Sequence, residues 1–398
     1  MNRRLGWARY VLGAAGVAAL IVVVACRHVN ERSRGAPTGT RHRRTATLPR
    51  GPGCLDTYWW APSATALLVQ VRRLPREEVW QVPLGTDPPK LVFEYPAVLG
   101  ETVFTHGFPL WGGGGLEGVA RVETRITGVG QGSSQTTFFW ATAAGPAPVI
   151  RSMVVPLTDG TLVAFDADRS GQNRRLRHLS ARGQELDAPT SLLDPWVVGR
   201  LEAGPGGEVA TTMILHSEEA TLCDLFLVVW GHRPRQITRG ASVHPRRWTW
   251  LPDGKRIRFV AVGLGRSPDV GYTGMSEVEV ATGNVTTLAE GERLRALGVR
   301  DGAWLPDGRA FVWFDCSDNQ SLLRTLGVPD GDLRSLEVSE GGMFPSPSPD
   351  GRWLAYETGD GAAIRILDLR SGEERWSVEW RDGLVRKTRA LEREGGVS

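Results

Sequence analysis

The residues whose spacing comes nearest to a ligand site are Asp166, Asp168 and Ser170, followed by Gly171. Oxygen ligands at positions 1, 3 and 5 with glycine at position 6 begin a calcium-binding loop, which is completed by a bidentate Glu at position 12. The twelfth position is Arg177, which cannot ligate a cation. We therefore expect a turn at the end of a strand here, not a calcium site.

Histidines and paired carboxylates offer acid–base chemistry only where they converge. His106, His216 and His244 have no metal-ligand spacing, and we expect hydrogen-bonded loop histidines unless a central channel gathers them. Adjacent strand residues point to opposite faces, so Glu218 and Glu219 do not form a glycosidase pair. The Gly112–Gly115 run is not followed by Lys and is interpreted as a loop. With no hydrolase, metallopeptidase or phosphate-loop motif, the sequence predicts no catalytic residue, metal or cofactor.

Cys26 is the residue for which the sequence predicts a defined role. Three early arginines precede an uncharged apolar run of 16 residues, Tyr10–Ala25, which is shorter than the ~20 needed to span a bilayer. The run ends in Val-Val-Ala-Cys, which resembles the bacterial lipobox: a small residue admits the peptidase, and the thiol forms a thioether to a diacylglyceryl group. We predict a signal peptide at 1–25 and lipidation of Cys26, with an uncleaved transmembrane anchor as the alternative.

The segment after Cys26 differs in composition from the remainder of the chain. Residues 26–53 are rich in Arg, Gly, Pro, Ser and Thr without apolar periodicity, which predicts a basic flexible tether. The formal net charge is +3, but residues 1–53 carry ten Arg against one Glu, so the remainder is acidic. An acidic body argues against nucleic-acid binding. Cys54, Cys223 and Cys316 lack zinc-site spacing, and one disulfide among them is permitted without its pairing being deducible.

A repeated turn dominates the body of the chain. Pro-Asp-Gly followed by Lys or Arg occurs within 250–255, 304–309 and 347–352, each time between apolar stretches. Proline presets φ, Asp bonds back to the backbone and Gly accepts positive φ, so each copy predicts strand, turn, strand. Weaker copies upstream place turn prolines at intervals of about 48 residues: Pro62, Pro109, Pro156, Pro205, Pro252, Pro306 and Pro349.

A second, glycine-marked turn follows each proline, as at Gly283 and Gly372. Two turns per unit give four strands, and units of this size repeated around an axis are typical of a β-propeller. We predict an all-β propeller over 54–385 with seven four-stranded blades, six or eight being the alternatives, and a disordered tail at 386–398. Most Trp residues track the repeat, which favours packing between blades over a ligand surface.

The Pro-Asp-Gly-Lys/Arg repeats over about 245–380 resemble those of TolB-like propellers. In the last unit, the segment from Ile366 to Trp376 is similar to the Asp…Gly…Trp signature of quinoprotein-like propellers, which include the outer-membrane assembly lipoprotein BamB. In that signature Asp bonds the turn and Trp packs between blades. Both resemblances imply a propeller at the bacterial cell envelope.

Together these patterns predict a non-enzymatic envelope lipoprotein facing the periplasm or the exterior. Its partners would be the membrane, through Cys26, and a protein or ligand not yet identified. Two alternatives remain open at this point. One is an envelope hydrolase or lactonase with its site in the propeller channel, and the other is a BamB-like assembly factor.

Overall fold

The computed structural model describes residues 44–47, 54–73, 75–96, 103–112, 115–128, 131–140, 149–150, 153–157, 160–167, 174–180, 182–192, 197–216, 221–263, 272–299, 302–315, 322–328, 330–338, 342–359 and 363–379. The predicted signal peptide, Cys26 and the tail at 386–398 lie outside these residues.

A short strand precedes the first two sheets: β1 (Arg44–Thr47). Blade 1 contains β2 (Cys54–Trp60), β3 (Ala66–Arg73), β4 (Arg76–Pro83) and β5 (Lys90–Pro96). Blade 2 contains β6 (Val103–Gly112), β7 (Gly115–Gly128), β8 (Gln131–Trp140) and β9 (Val149–Ile150).

The middle of the chain forms three further sheets. Blade 3 contains β10 (Met153–Pro156), β11 (Leu162–Ala167), β12 (Arg174–Leu179) and β13 (Thr190–Ser191). Blade 4 contains β14 (Val197–Ala203), β15 (Val209–His216), β16 (Thr221–Val228) and β17 (Arg235–Gln236). Blade 5 contains β18 (Val243–Trp250), β19 (Arg256–Val262), β20 (Tyr272–Glu279) and β21 (Val285–Glu290), and a short helix, α1 (Gly291–Ala296), follows it.

The last two sheets complete the ring. Blade 6 contains β22 (Ala303–Trp304), β23 (Ala310–Asp315), β24 (Leu322–Gly327) and β25 (Leu333–Glu337). Blade 7 contains β26 (Gly342–Pro347), β27 (Trp353–Thr358), β28 (Ala363–Asp368) and β29 (Glu373–Glu379).

Strands that follow each other in the chain are neighbours in the same sheet. Among the described strands, six sheets have four antiparallel strands each, and the blade 7 sheet gains β1 as a fifth strand, parallel to β29. The prediction of an all-β propeller built from four-stranded units is confirmed.

The Pro-Asp-Gly repeats form the turns between the first and second strands of blades 5, 6 and 7. One carboxylate oxygen of each turn Asp accepts the backbone N–H two residues on, at 2.9 Å for Asp253 and Asp307 and 3.0 Å for Asp350. The glycine that follows each Asp has φ between 64° and 68°, a region that other residues rarely adopt. Local sequence therefore determines these reversals.

Two of the weaker copies are placed differently from the prediction. Pro109 lies inside β6, paired with Val119, and the chain reverses between Gly112 and Gly115 instead. Blade 2 has longer inner strands, so its turn falls in the glycine run, where a tight reversal costs no side-chain clash. Pro156 ends β10, and the turn begins one residue later, where the Gly160 N–H bonds the carbonyl of Leu157 at 3.1 Å.

Buried apolar side chains gather at the seams between neighbouring blades. Seven clusters of buried residues are present, and each combines side chains of two adjacent sheets. Indole N–H groups also cross three seams: Trp60 to the Ser346 carbonyl at 2.8 Å, Trp250 to Glu202 at 3.3 Å, and Trp304 to Arg247 at 3.2 Å. The expectation that repeat-linked Trp residues pack between blades is confirmed for these positions.

The ring closes between blade 1 and blade 7. The Tyr58 hydroxyl donates to the carbonyl of Phe344 at 2.7 Å, next to the Trp60 bond. These two bonds place β2 beside the last blade. Arg44–Thr47, within the predicted tether, form β1, which pairs in parallel with β29 on the outer edge of blade 7.

Candidate functional site

The first strand of each blade lies next to the propeller axis, since these strands contact one another from sheet to sheet. Between blades 4 and 5, the Arg200 side chain makes several of these contacts. Arg200 of β14 donates from Nη1 to the carbonyls of Arg246 and Trp248 at 3.1 and 3.0 Å, and its guanidinium lies 5.3 Å from the Trp248 ring centroid. Arg200 also forms an ion pair with Glu202 at 2.5 Å.

A cleft opens beside this ion pair, where the turns of blades 4, 5 and 6 meet. We call it the turn cleft; its volume is about 310 Å³ and its principal lining residues are Glu202, Pro205, Trp250, Leu251, Pro252 and Pro306. Three of these are turn residues of successive blades, which the repeat brings together at one end of the ring. The cleft is open to solvent and combines polar and apolar surface, with turn prolines and Trp250 on its walls and a single carboxyl group in its described lining.

The carboxyl group of Glu202 is in an unfavourable setting for a charge. Burial raises the pKa of Glu202, and this effect outweighs Arg200 and the Trp250 N–H, which both lower it. The side chain is 19% exposed, and its ion-pair partner is Arg200 of the same strand.

A hydrogen-bonded chain of three side chains lies farther from the axis, at the seam of blades 3 and 4. His178 Nδ1 lies 2.6 Å from an Asp187 carboxylate oxygen, and its Nε2 lies 2.9 Å from the Thr161 hydroxyl. The imidazole stacks on Trp230 of blade 4 with centroids 4.7 Å apart and planes 7° from parallel. Hydroxyl, imidazole and carboxylate occur here in the order that nucleophilic catalysis uses, but Trp230 covers one face of the ring.

The histidines named from the sequence lie on three different blades. His106 lies in β6, His216 ends β15, and His244 lies in β18, where its Nδ1 accepts the N–H of Arg246 at 3.1 Å. Across the part of the chain that the structure describes, no group of three or more His, Cys, Asp or Glu side chains is placed to hold a metal.

The other residues considered in the sequence analysis lie in an ion pair, in a strand or outside the described residues. Asp166 is the penultimate residue of β11 and forms an ion pair with Arg177 at 2.7 Å. Asp168, Ser170 and Gly171 lie outside the described residues, as do Glu218 and Glu219. Cys223 is free and buried in β16, and burial raises the pKa of its thiol to about 12. Cys54 begins β2, and Cys316 lies outside the described residues.

The helices within the described ranges include none with the length and apolar character that crossing a bilayer requires.

The similarities to known proteins that were found are to solved structures. No protein-family model matches the chain, and no curated protein matches it. A prolyl endopeptidase structure aligns at TM-score 0.54 and 10% identity, over 82% of this chain and 48% of the endopeptidase. An uncharacterized protein from Listeria monocytogenes EGD-e aligns at TM-score 0.50 and 7% identity, over 87% and 100% of the two chains.

These similarities show the β-propeller fold. TolB from Acinetobacter baumannii is also among the similar structures, at TM-score 0.37 and 15% identity, over 73% of this chain and 64% of TolB. The match to the endopeptidase spans about half of that enzyme's length, so its peptidase activity is not carried over.

Sequence reasoning missed Arg200, Glu202 and His178. Each makes a contact with a neighbouring blade that spacing does not reveal: Arg200 with Trp248, Glu202 with the turns that line the cleft, and His178 with Trp230. For residues 244–247 of β18, which contact Arg200, the sequence does contain a sign of irregular structure. Pro245 interrupts that strand just before Arg246 and Arg247, and a proline inside an apparent strand indicates a bulge.

Proposed function

We propose that this protein is a bacterial cell-envelope lipoprotein whose propeller serves as a non-catalytic binding scaffold. The observation that carries the proposal is the turn cleft, an open cleft that three blades form at one end of the ring and that presents Pro252, Pro306 and Trp250. Within its described lining, the one ionisable side chain is Glu202, and Arg200 already pairs with it. A pocket of this chemistry binds an apolar side chain of a partner better than it performs acid–base catalysis.

Anchoring at Cys26 places the scaffold on a membrane surface. Acyl chains on the thioether and on the new amino terminus bury enough CH₂ groups for stable attachment. The test is mass spectrometry of the mature N terminus from the native host, with and without globomycin. A lipid-modified Cys26 and accumulation of the precursor under globomycin are expected. An intact Met1 terminus, or unmodified Cys26, would overturn the anchor.

Binding at the cleft is tested by site-specific photocrosslinking in intact cells. A benzoylphenylalanine at position 306 lies in the cleft lining, and the same residue at position 349 occupies the equivalent turn of blade 7, outside it. Protein adducts from position 306 that are absent from position 349 are expected, and Pro252→Arg should abolish them by filling the cleft. Equal adducts at both positions, or none at 306, would contradict the scaffold role of this cleft.

A second function, hydrolysis, is favoured by the Thr161–His178–Asp187 chain alone. Hydrolysis of a p-nitrophenyl ester by the purified protein, lost in Thr161→Val, would support it. Turnover that is absent, or unchanged in Thr161→Val, leaves the chain with a packing role only.

A further inference from the structure

The outer edge of blade 7 holds the described strand that lies nearest in sequence to Cys26. In this strand, β1, Arg44 pairs with Trp376 of β29 and Thr47 pairs with Glu379, so the two strands are parallel. The other six sheets have no fifth strand among the described strands. Residues 27–43 lie between Cys26 and β1 and can span at most about 60 Å when fully extended. The position and direction of β1 therefore determine where the chain from Cys26 reaches the propeller.

Strand direction places two turns of every blade at the same end of the ring. Because the four strands are antiparallel neighbours, the turn between the first and second strands and the turn between the third and fourth share one end. In blade 7 these are residues 348–352 and 369–372. A β-carbon at Gly351 would lie 3.8 Å from Pro306, so the blade 7 turn adjoins a turn that lines the turn cleft. We call this end of the ring the turn face.

The chain enters β1 from the side of the turn face. β29 begins next to residues 369–372 at the turn face and runs away from it, and β1 runs in the same direction. Following β1 backward from Thr47 to Arg44 therefore leads toward the turn face. The lipid anchor proposed at Cys26 precedes β1 in the chain, so it would be connected to the propeller from this side.

Without β1 the chain would reach the propeller at the opposite end. β2 begins at Cys54, which pairs with Arg72, and ends at Trp60 beside the blade 1 turn at the turn face. Cys54 thus lies at the end of the ring away from the turn face. Pairing of β1 with the exposed edge of β29 moves the point of entry from that end to the turn face.

We propose that β1 sets the orientation of the propeller on the membrane, with the turn face and its cleft directed toward the lipid bilayer. This inference rests on the proposed lipidation of Cys26, and it deepens the scaffold function by naming the surface that the cleft faces. The turn face carries exposed Lys255, Arg309 and Arg352, each in a turn that also holds an Asp. Charges balanced in this way give little attraction to anionic headgroups, so the orientation depends on β1.

The test measures energy transfer from the propeller to a bilayer. The full-length lipoprotein, purified from the native host, is inserted into preformed phosphatidylethanolamine–phosphatidylglycerol vesicles with an acceptor dye on the lipid headgroups. A donor dye is attached through p-azidophenylalanine at position 349 on the turn face or at position 359 on the opposite end of blade 7, both exposed. These sites lie at the two ends of β27, whose six residues span about 20 Å. Positions 63 and 75 form the same pair in blade 1.

Transfer should be more efficient from positions 349 and 63 than from positions 359 and 75. Thr45→Pro combined with Ala46→Pro removes two successive N–H groups, of which one points to β29, and should release β1. The order of the transfer efficiencies should then reverse, since the chain enters at Cys54. The matched control is Thr38→Pro combined with Thr40→Pro, which lies before β1 and should keep the order of the unmodified protein.

Vesicle flotation separates failure of the anchor from failure of the orientation. Protein that does not float with the vesicles would overturn the lipid anchor. Protein that floats but shows equal transfer from both ends of blade 7, or the same order in the two double variants, would overturn the role of β1 and leave the anchor and the cleft untouched. The order should also persist in about 0.5 M salt, and its loss there would assign the orientation to surface charge.

Discussion

The His178 imidazole of blade 3 lies face to face with the Trp230 indole of blade 4, 4.7 Å between ring centroids. The same imidazole is hydrogen-bonded through both nitrogens, to Asp187 and Thr161. The side chain of His178, in the third strand of blade 3, therefore joins the turn before the second strand and the loop after the third strand to blade 4.

Replacing His178 with Ala should lower the free energy of unfolding by about 2–3 kcal/mol, since two net hydrogen bonds and one ring contact are lost. Urea denaturation followed by tryptophan fluorescence measures this. His232→Ala is the control, because His232 is exposed on the adjacent turn of blade 4 and should change little. Similar losses in both variants would show that the seam does not depend on the stack.

Two arginines of β19 share one carboxylate but differ in burial. Arg258 is 9% exposed, pairs with Glu277 at 2.8 Å and donates to the carbonyls of Gly308 and Val328 of blade 6, whereas Arg256 is 45% exposed. Arg258→Ala should cost about 3–5 kcal/mol, because it leaves two buried carbonyls without their donor and removes the more buried of the two arginines that pair with Glu277.

Arg256→Ala is the matched control and should cost about 0–1 kcal/mol, since solvent screens the exposed pair. Thermal unfolding of the two variants gives the comparison. If Arg256→Ala proved as costly as Arg258→Ala, the inter-blade bonds of Arg258 would not be the cause.

Asp368 gives the last blade an acid-sensitive turn. Partial burial raises its pKa, but the N–H groups of Arg370 and Ser371 and the guanidinium of Arg352 lower it more, so the folded-state pKa lies below its usual value. The ionised group therefore stabilises the fold above the unfolded-state pKa, and this contribution is lost as pH falls through the lower folded value.

Asp368→Asn should lose about 1–2 kcal/mol at pH 7, and the difference from wild type should shrink below about pH 4. Urea midpoints between pH 3 and pH 7 test this, with the exposed Asp330→Asn as control. A difference that does not change with pH would show that the turn does not depend on the carboxylate charge.

The raised pKa of Glu202 predicts a dependence of stability on pH that is opposite in sign to that of Asp368. Because burial raises its pKa, the folded protein holds the proton more tightly than the unfolded chain, and stability falls as pH rises above the ordinary value of 4.5. Glu202→Gln lacks this titration, so its stability relative to wild type should increase between pH 4 and pH 7. Parallel pH profiles of the two proteins would contradict the raised pKa.

The sequence by itself determined the four-stranded unit, its turns and the ring. Pro, Asp and Gly at 252–254 set backbone angles and hydrogen bonds within a few residues, so the reversal is encoded locally. The same reasoning failed at Pro109, because strand length in blade 2 depends on pairing with a neighbouring strand.

Only the tertiary structure decided where chemistry can occur. Glu202 meets the turn prolines, and the bulge at 244–247 meets Thr212 and Trp304, across blade seams that no spacing rule reveals. The repeat determines the four strands of each blade. Departures from it, such as residues 244–247 of β18, which face the single residue Val260, are held in place by side chains of the neighbouring blades. These contacts join residues that are far apart in the sequence, and they form only when the blades pack side by side into the ring.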